Sequence, residues 1–128
     1  MKNSFDEAKR YLQNAKDLLA NNTTIEDGFY SDSKYVRMAG DTAWKGCLIA
    51  IDAAFHVREG KKKRQRLDID DYRKAVANQD KKPLSYINSG YNLMHLFMGY
   101  DGEKKVEIAK TGFATAKTII EKCEQKSA

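Results

Sequence analysis

The chain has 128 residues, 41% of them hydrophobic and 32% charged, with a formal net charge of +5. That length suits one domain, here 1–128, with a core of its own, and no apolar run approaches the roughly 18 residues that would cross a bilayer. The N-terminal stretch MKNSFDEAKRY has no apolar signal core, so a cytoplasmic location is expected.

In chain order, Ser4 and Glu7 have capping-box spacing. Phe5, Ala8, Tyr11, Leu12, Ala15, Leu18 and Leu19 then recur at helical intervals, predicting a first helix from about Phe5 to Ala20. Asn21 to Asp32 is polar and contains Gly28, which marks a connecting loop. Ile25, Phe29 and Tyr30 are its candidates for packing onto the rest of the chain.

Ser33 to Gly60 organises the molecule. Ala39, Ala43, Gly46, Cys47, Ala50, Ala53 and Ala54 recur mostly at three- and four-residue spacings, interleaved with Met38, Trp44, Ile49, Ile51 and Val57. Small residues at this period let another helix come close. Gly40 and Gly46 weaken a helix, and close packing is the compensation expected of them. Gly60 fits a C-terminal cap.

The basic run Lys61, Lys62, Lys63, Arg64 and Arg66 follows. Asp68 then offers an N-cap for a short third helix as far as about Gln79, with Asp70 and Asp71 in the favourable first turn. Pro83 suits the first turn of a further helix whose apolar residues run from Leu84 through Met98. Gly99-Tyr100-Asp101-Gly102 breaks it. A last helix begins near Glu103 and carries Val106, Ala109, Phe113, Ala116, Ile119, Ile120 and Cys123 on one face. No strand-type alternation is present. The pattern predicts an all-α, up-and-down four-helix bundle with a short additional helix.

Three segments in this order resemble the HEPN superfamily of small helical bundles. They are the opening helix FDEAKRYLQNAKDLL, the small-residue helix DTAWKGCLIAIDAAFHVREG, and the closing LMHLFMGYDGEKKVEIAKTGFATAKTII. The resemblance covers most of the chain and implies a homodimer. Ribonuclease members of the superfamily carry an arginine followed by a histidine after four to six residues. Here Asn88, Ser89 and Gly90 stand at those positions ahead of His95, and Ile49, Ala50 and Ile51 ahead of His56. Family-type ribonuclease activity is therefore not expected.

Candidate chemistry is sparse. Asp52 and His56 lie one helical turn apart, and a shared hydrogen bond would orient the imidazole; the plainer reading is a histidine satisfied by its neighbour. His95 stands between Met94 and Leu96, where packing or an interface is the plainer role. With Tyr100 and Asp101 these residues form a possible polar site. Two cysteines and two histidines, widely scattered, lack zinc-ligand spacing, so no metal and no cofactor is expected. Cys47 and Cys123 fit buried reduced thiols.

Two functional expectations result. The first is a non-catalytic bundle acting through protein contacts, as a homodimer, with Trp44, Tyr91 and Phe97 as aromatic anchors. The alternative is an RNA-binding or divergent RNA-cleaving protein, in which Lys61, Lys62, Lys63, Arg64 and Arg66 grip phosphates or His56 or His95 acts on the strand. No membrane partner is expected.

Overall fold

The structure, a computed structural model, describes residues 3–128. Met1 and Lys2, which open the stretch read for a signal core, lie outside it. Helix α1 spans Ser4–Asn22. Its cap is Asn3, whose side chain accepts the Asp6 N–H at 2.8 Å, one residue before the Ser4 box expected from the sequence. An asparagine caps as well as a serine, so the helix simply starts earlier. The following segment is not a plain loop: Ile25–Glu26 (β1) and Phe29–Tyr30 (β2) pair as a short antiparallel hairpin. Of its three apolar residues only Tyr30 packs against the core, while Ile25 and Phe29 stay exposed.

Helix α2, Ser33–Phe55, packs against α1, against the Tyr91–Tyr100 helix and against α5, Val106–Ser127. The small-residue stripe makes this possible. A Cβ on Gly46 would stand 2.9 Å from the Ala8 carbonyl oxygen and 3.0 Å from Tyr11 Cβ of α1. A Cβ on Gly40 would stand 2.5 Å from both the Met94 carbonyl oxygen and Met98 Cβ. Backbones come within reach only where the side chain is missing.

Helix α2 ends earlier than expected. His56 takes a left-handed conformation (φ 54, ψ 47), and its N–H donates to the Asp52 carbonyl at 2.8 Å. The Asp52 carboxylate accepts the Arg58 N–H at 2.9 Å and so fixes the chain reversal. Gly60, expected as the cap, instead occupies a turn further on, with φ 78.

Helix α3, Ile69–Gln79, starts at Asp68 with a full capping box: Asp68 accepts from the Asp71 N–H at 3.0 Å and Asp71 accepts from the Asp68 N–H at 2.8 Å. The single helix expected from Leu84 to Met98 is two elements. Leu84–Gly90 is α-helical (α4), and Tyr91–Tyr100 winds as a π-helix. The wider helix is wedged between Gly40 of α2 and Gly112 of α5, with Met94 between them. Helix α5 begins at Val106 rather than Glu103, because residues 104–106 are held by the hairpin: the Tyr30 N–H reaches the Lys104 carbonyl at 2.8 Å and the Val106 N–H reaches Gly28 at 3.0 Å. The result is an all-α bundle with one minimal hairpin, and no helix among the described residues is long and apolar enough to cross a membrane.

Candidate functional site

The bundle has two unlike ends. At the first, the hairpin is stitched to residues 104–106, the Glu103 N–H bonds the Phe97 carbonyl at 2.8 Å, and Arg37 at the start of α2 donates to the Asp101 carbonyl at 3.4 Å. At the second, α2 terminates, the basic loop runs, and α5 ends. Gln79 donates to the Phe55 carbonyl at 2.7 Å there, and Lys126 to the Ala54 carbonyl at 3.0 Å.

The predicted polar residues are spread along this axis. Tyr100 and Asp101 lie exposed at the hairpin end, next to Arg37. Asp52 and His56 lie at the other end, fifteen residues or more along α2, which is about 22 Å of helix. The Asp52 carboxylate is occupied by the Arg58 N–H, and the exposed imidazole of His56 makes no bond to it. The structure does not assemble these residues into one site.

His95 is the member that finds company. Its ring stacks on Tyr91 at 5.1 Å between centroids and 23° between planes, and Tyr91 meets Trp44 edge-on at 5.9 Å. The Arg73 guanidinium lies 5.4 Å from the same Tyr91 ring, held by Asn88 at 2.8 Å and Asp70 at 3.2 Å. These aromatics line a cleft of about 570 Å³ closed on its far side by Arg66, Leu67, Asp68 and Tyr72. Trp44 is 5% exposed, so the bundle itself takes up most of its ring. His95 is exposed and accepts or donates no hydrogen bond among the described residues. Asp68 and Tyr72 share the cleft with His95 without a hydrogen bond to its ring, and the contacts that are formed there are aromatic stacking with a cation alongside.

In the basic loop, Lys61 is drawn to Asp71 at 3.4 Å and is half-buried, whereas Lys62, Lys63, Arg64 and Arg66 are exposed. Arg58, absent from the sequence-level candidates, shapes the loop by donating to the Gln65 carbonyl at 2.9 Å. Arg73 was equally hidden, since its spacing to Asp70 reads as an ordinary surface ion pair.

Titration is perturbed mainly by burial. It pushes the Cys123 thiol up to about 12 and raises Cys47 further, with a contribution from neighbouring Cys123. Burial also raises Tyr72 and Tyr30. Asp71 lies below the usual carboxylate range, first because of the Asp68 N–H and then because of Lys61. No group of three or more His, Cys, Asp or Glu among the described residues could hold a metal ion.

These features define a charged helical-bundle domain with an apolar end, a basic end and an aromatic cleft. The family profile described as a domain of unknown function, DUF5618, matches residues 3–125, and the chain belongs to that family. It is also similar to the solved structure of a protein of unknown function from Dyadobacter fermentans, at 46% identity over 98% of this chain and 96% of that one, with a TM-score of 0.85. No curated protein matches the chain.

Proposed function

We propose that this protein is a non-catalytic, HEPN-like bundle of the cytoplasm that works through protein contacts as a homodimer joined at the hairpin end. One observation carries the reading. Among the described residues six large hydrophobic side chains are exposed, and five of them, Ile25 (60%), Phe29 (47%), Met38 (42%), Phe97 (43%) and Tyr100 (79%), belong to the hairpin end. A cluster of this kind marks an interaction surface where scattered ones do not. A stable interface takes about 800 Å² per partner, roughly a tenth of this chain's 7866 Å² surface, so one end of the bundle suffices. Arg37, which reaches the Asp101 carbonyl, and Lys104 and Lys105, paired with the hairpin, bring charge to the same end, where Asp41, Asp101 and Glu103 supply the opposite sign, and this mixture suits a self-complementary contact.

Sedimentation equilibrium at micromolar concentration is the test. A mass twice the 14.6 kDa of the chain is expected, falling to a single chain in Phe97→Asp. A monomer in the unaltered protein removes the proposal.

A second reading, binding of single-stranded RNA, is favoured by the way Arg66 of the basic loop meets the Tyr91–His95 stack at one cleft. Aromatic faces next to cations are what a splayed base and its phosphate require. This reading expects affinity for labelled RNA that falls steeply with salt. It is abandoned when serine at positions 61–64 and 66 leaves binding unchanged.

A further inference from the structure

The basic end contains a second cleft, of about 350 Å³, between the start of α4 and the last turns of α5, which shares no lining residue with the hairpin or the aromatic cleft. Its walls include Phe55 and Tyr86 and carry three lysines, Lys82, Lys122 and Lys126, with the single carboxylate of Asp80. No carboxylate among the described residues lies within ion-pair distance of any of the three ammonium groups, although Lys9, Lys61 and Lys117 all have such partners. Asp80 is turned to its own backbone, where it accepts the Lys82 N–H at 3.1 Å.

Two of the lysines are held in place rather than free. The Lys126 ammonium lies 4.7 Å from the centre of the Phe55 ring and donates to the Ala54 carbonyl at 3.0 Å and to Gln79 Oε1 at 3.3 Å. That leaves one of its three N–H donors unused. The Lys122 ammonium lies 5.3 Å from the Tyr86 ring centre. Fixed cations around one opening repel each other, and an anion placed among them relieves that repulsion. A phosphoryl group matches this arrangement better than a carboxylate, because it offers three oxygens and close to two charges to three ammonium groups. The remaining space is bordered by Tyr86, which among the described residues is the one large exposed hydrophobic outside the hairpin end, and it suits an apolar body attached to that group.

We propose that this cleft binds a small organic phosphate, with Lys82, Lys122 and Lys126 on the phosphoryl oxygens and the exposed Tyr86 against the organic part. The site shares no residue with the basic run Lys61–Arg66, so it stands or falls independently of the RNA reading.

The test is a titration of the full chain, followed by amide chemical shifts, with phenyl phosphate, with inorganic phosphate and with sodium chloride at matched ionic strength. Saturable shifts confined to the neighbourhood of Lys82, Tyr86, Lys122 and Lys126 are expected with phenyl phosphate, weaker binding with inorganic phosphate, and none with chloride. Lys82→Gln and Lys122→Gln should each weaken binding about tenfold, as loss of one charge-assisted hydrogen bond would. Lys122→Arg should retain it, and Lys117→Gln, on the same helix but engaged by Glu121 at 3.9 Å, should leave it unchanged. Shifts that never saturate, shifts spread over lysines all around the molecule, or equal losses in Lys117→Gln and Lys122→Gln overturn the proposal. Because the titration of the unaltered protein maps the site by itself, a variant that failed to fold would not rescue a negative result.

Discussion

At the residue scale, His56 shows how a functional-looking side chain can be set by backbone geometry. A left-handed conformation costs a residue with a Cβ roughly 1–2 kcal/mol, a penalty glycine escapes. His56 adopts it at the helix end with φ 54, and its side chain is exposed without a partner. His56→Gly is therefore expected to raise stability by about 1 kcal/mol, read as a higher denaturation midpoint with an unchanged m-value; a lower midpoint would mean that the imidazole holds something the geometry does not reveal. The sequence placed the cap at Gly60 because glycine is the usual left-handed residue, and nothing in His56 itself announced the exception. The cysteines were legible, by contrast, since each lies at a core-facing position of a periodic helix. With both thiols raised by burial, Cys123 to about 12, almost no thiolate exists near neutral pH. Ellman's reagent should then modify Cys47 and Cys123 only as fast as the protein opens, and rapid labelling of the native protein would contradict their burial.

At the scale of elements, the stripe of small residues in α2 was readable because periodicity and packing have one cause. The π-helix was not readable. Tyr91 to Tyr100 is apolar nearly throughout, and such a run has the same appearance whether it winds with 3.6 residues per turn or more. The wider helix packs against a neighbour from far earlier in the chain: Gly40 admits the Met94 carbonyl and Met98 Cβ at 2.5 Å from where its own Cβ would be. Neither contact is the end of a flexible chain, so Gly40→Ala has no easy relief and should cost on the order of 3 kcal/mol. Gly112→Ala meets side chains alone, Met94 Cγ at 3.2 Å with Leu93 Cβ and Met98 Sδ at an ordinary 3.6 Å, and should cost much less. Comparable losses for the two variants would show that the π-helix does not depend on Gly40. The capping box of α3 was half-legible, from Asp68 and the acidic first turn. Asp71 titrates below its unfolded value, so its contribution is complete above the ordinary carboxylate range and is lost as the pH falls through the folded value. The start of α3 should accordingly exchange its amides faster in acid than the start of α1, and Asp71→Asn should remove that difference.

On the scale of the whole molecule, the fold sorts side chains that the sequence keeps apart. Arg66, Trp44 and His95 meet at one cleft although they come from a loop, α2 and the π-helix, and Lys82 and Lys126 meet at another although α4, the π-helix and most of α5 lie between them in the chain. Such meetings depend on which way each helix is rotated about its axis, which a single chain's periodicity specifies only for the buried face. Of the exposed apolar residues at the hairpin end, Phe97 was legible as an anchor, whereas Ile25 and Phe29 read as residues that pack onto the bundle and are instead exposed. The resulting polarity makes a separable prediction. The proposed contact through the hairpin end would be driven by apolar burial inside a rim of mixed charge, so its strength should hold or rise slightly with salt. The proposed phosphate and polyanion binding at the opposite end would be electrostatic and should fall steeply. Light scattering and anisotropy across one salt series would then give opposite trends, and Phe97→Asp, although monomeric, should bind phenyl phosphate as the unaltered protein does. A loss of phosphate affinity on monomerisation would mean that the two ends are coupled through the bundle, or that the lysine cleft is completed by the second copy, and the hairpin-end dimer would have to be redrawn.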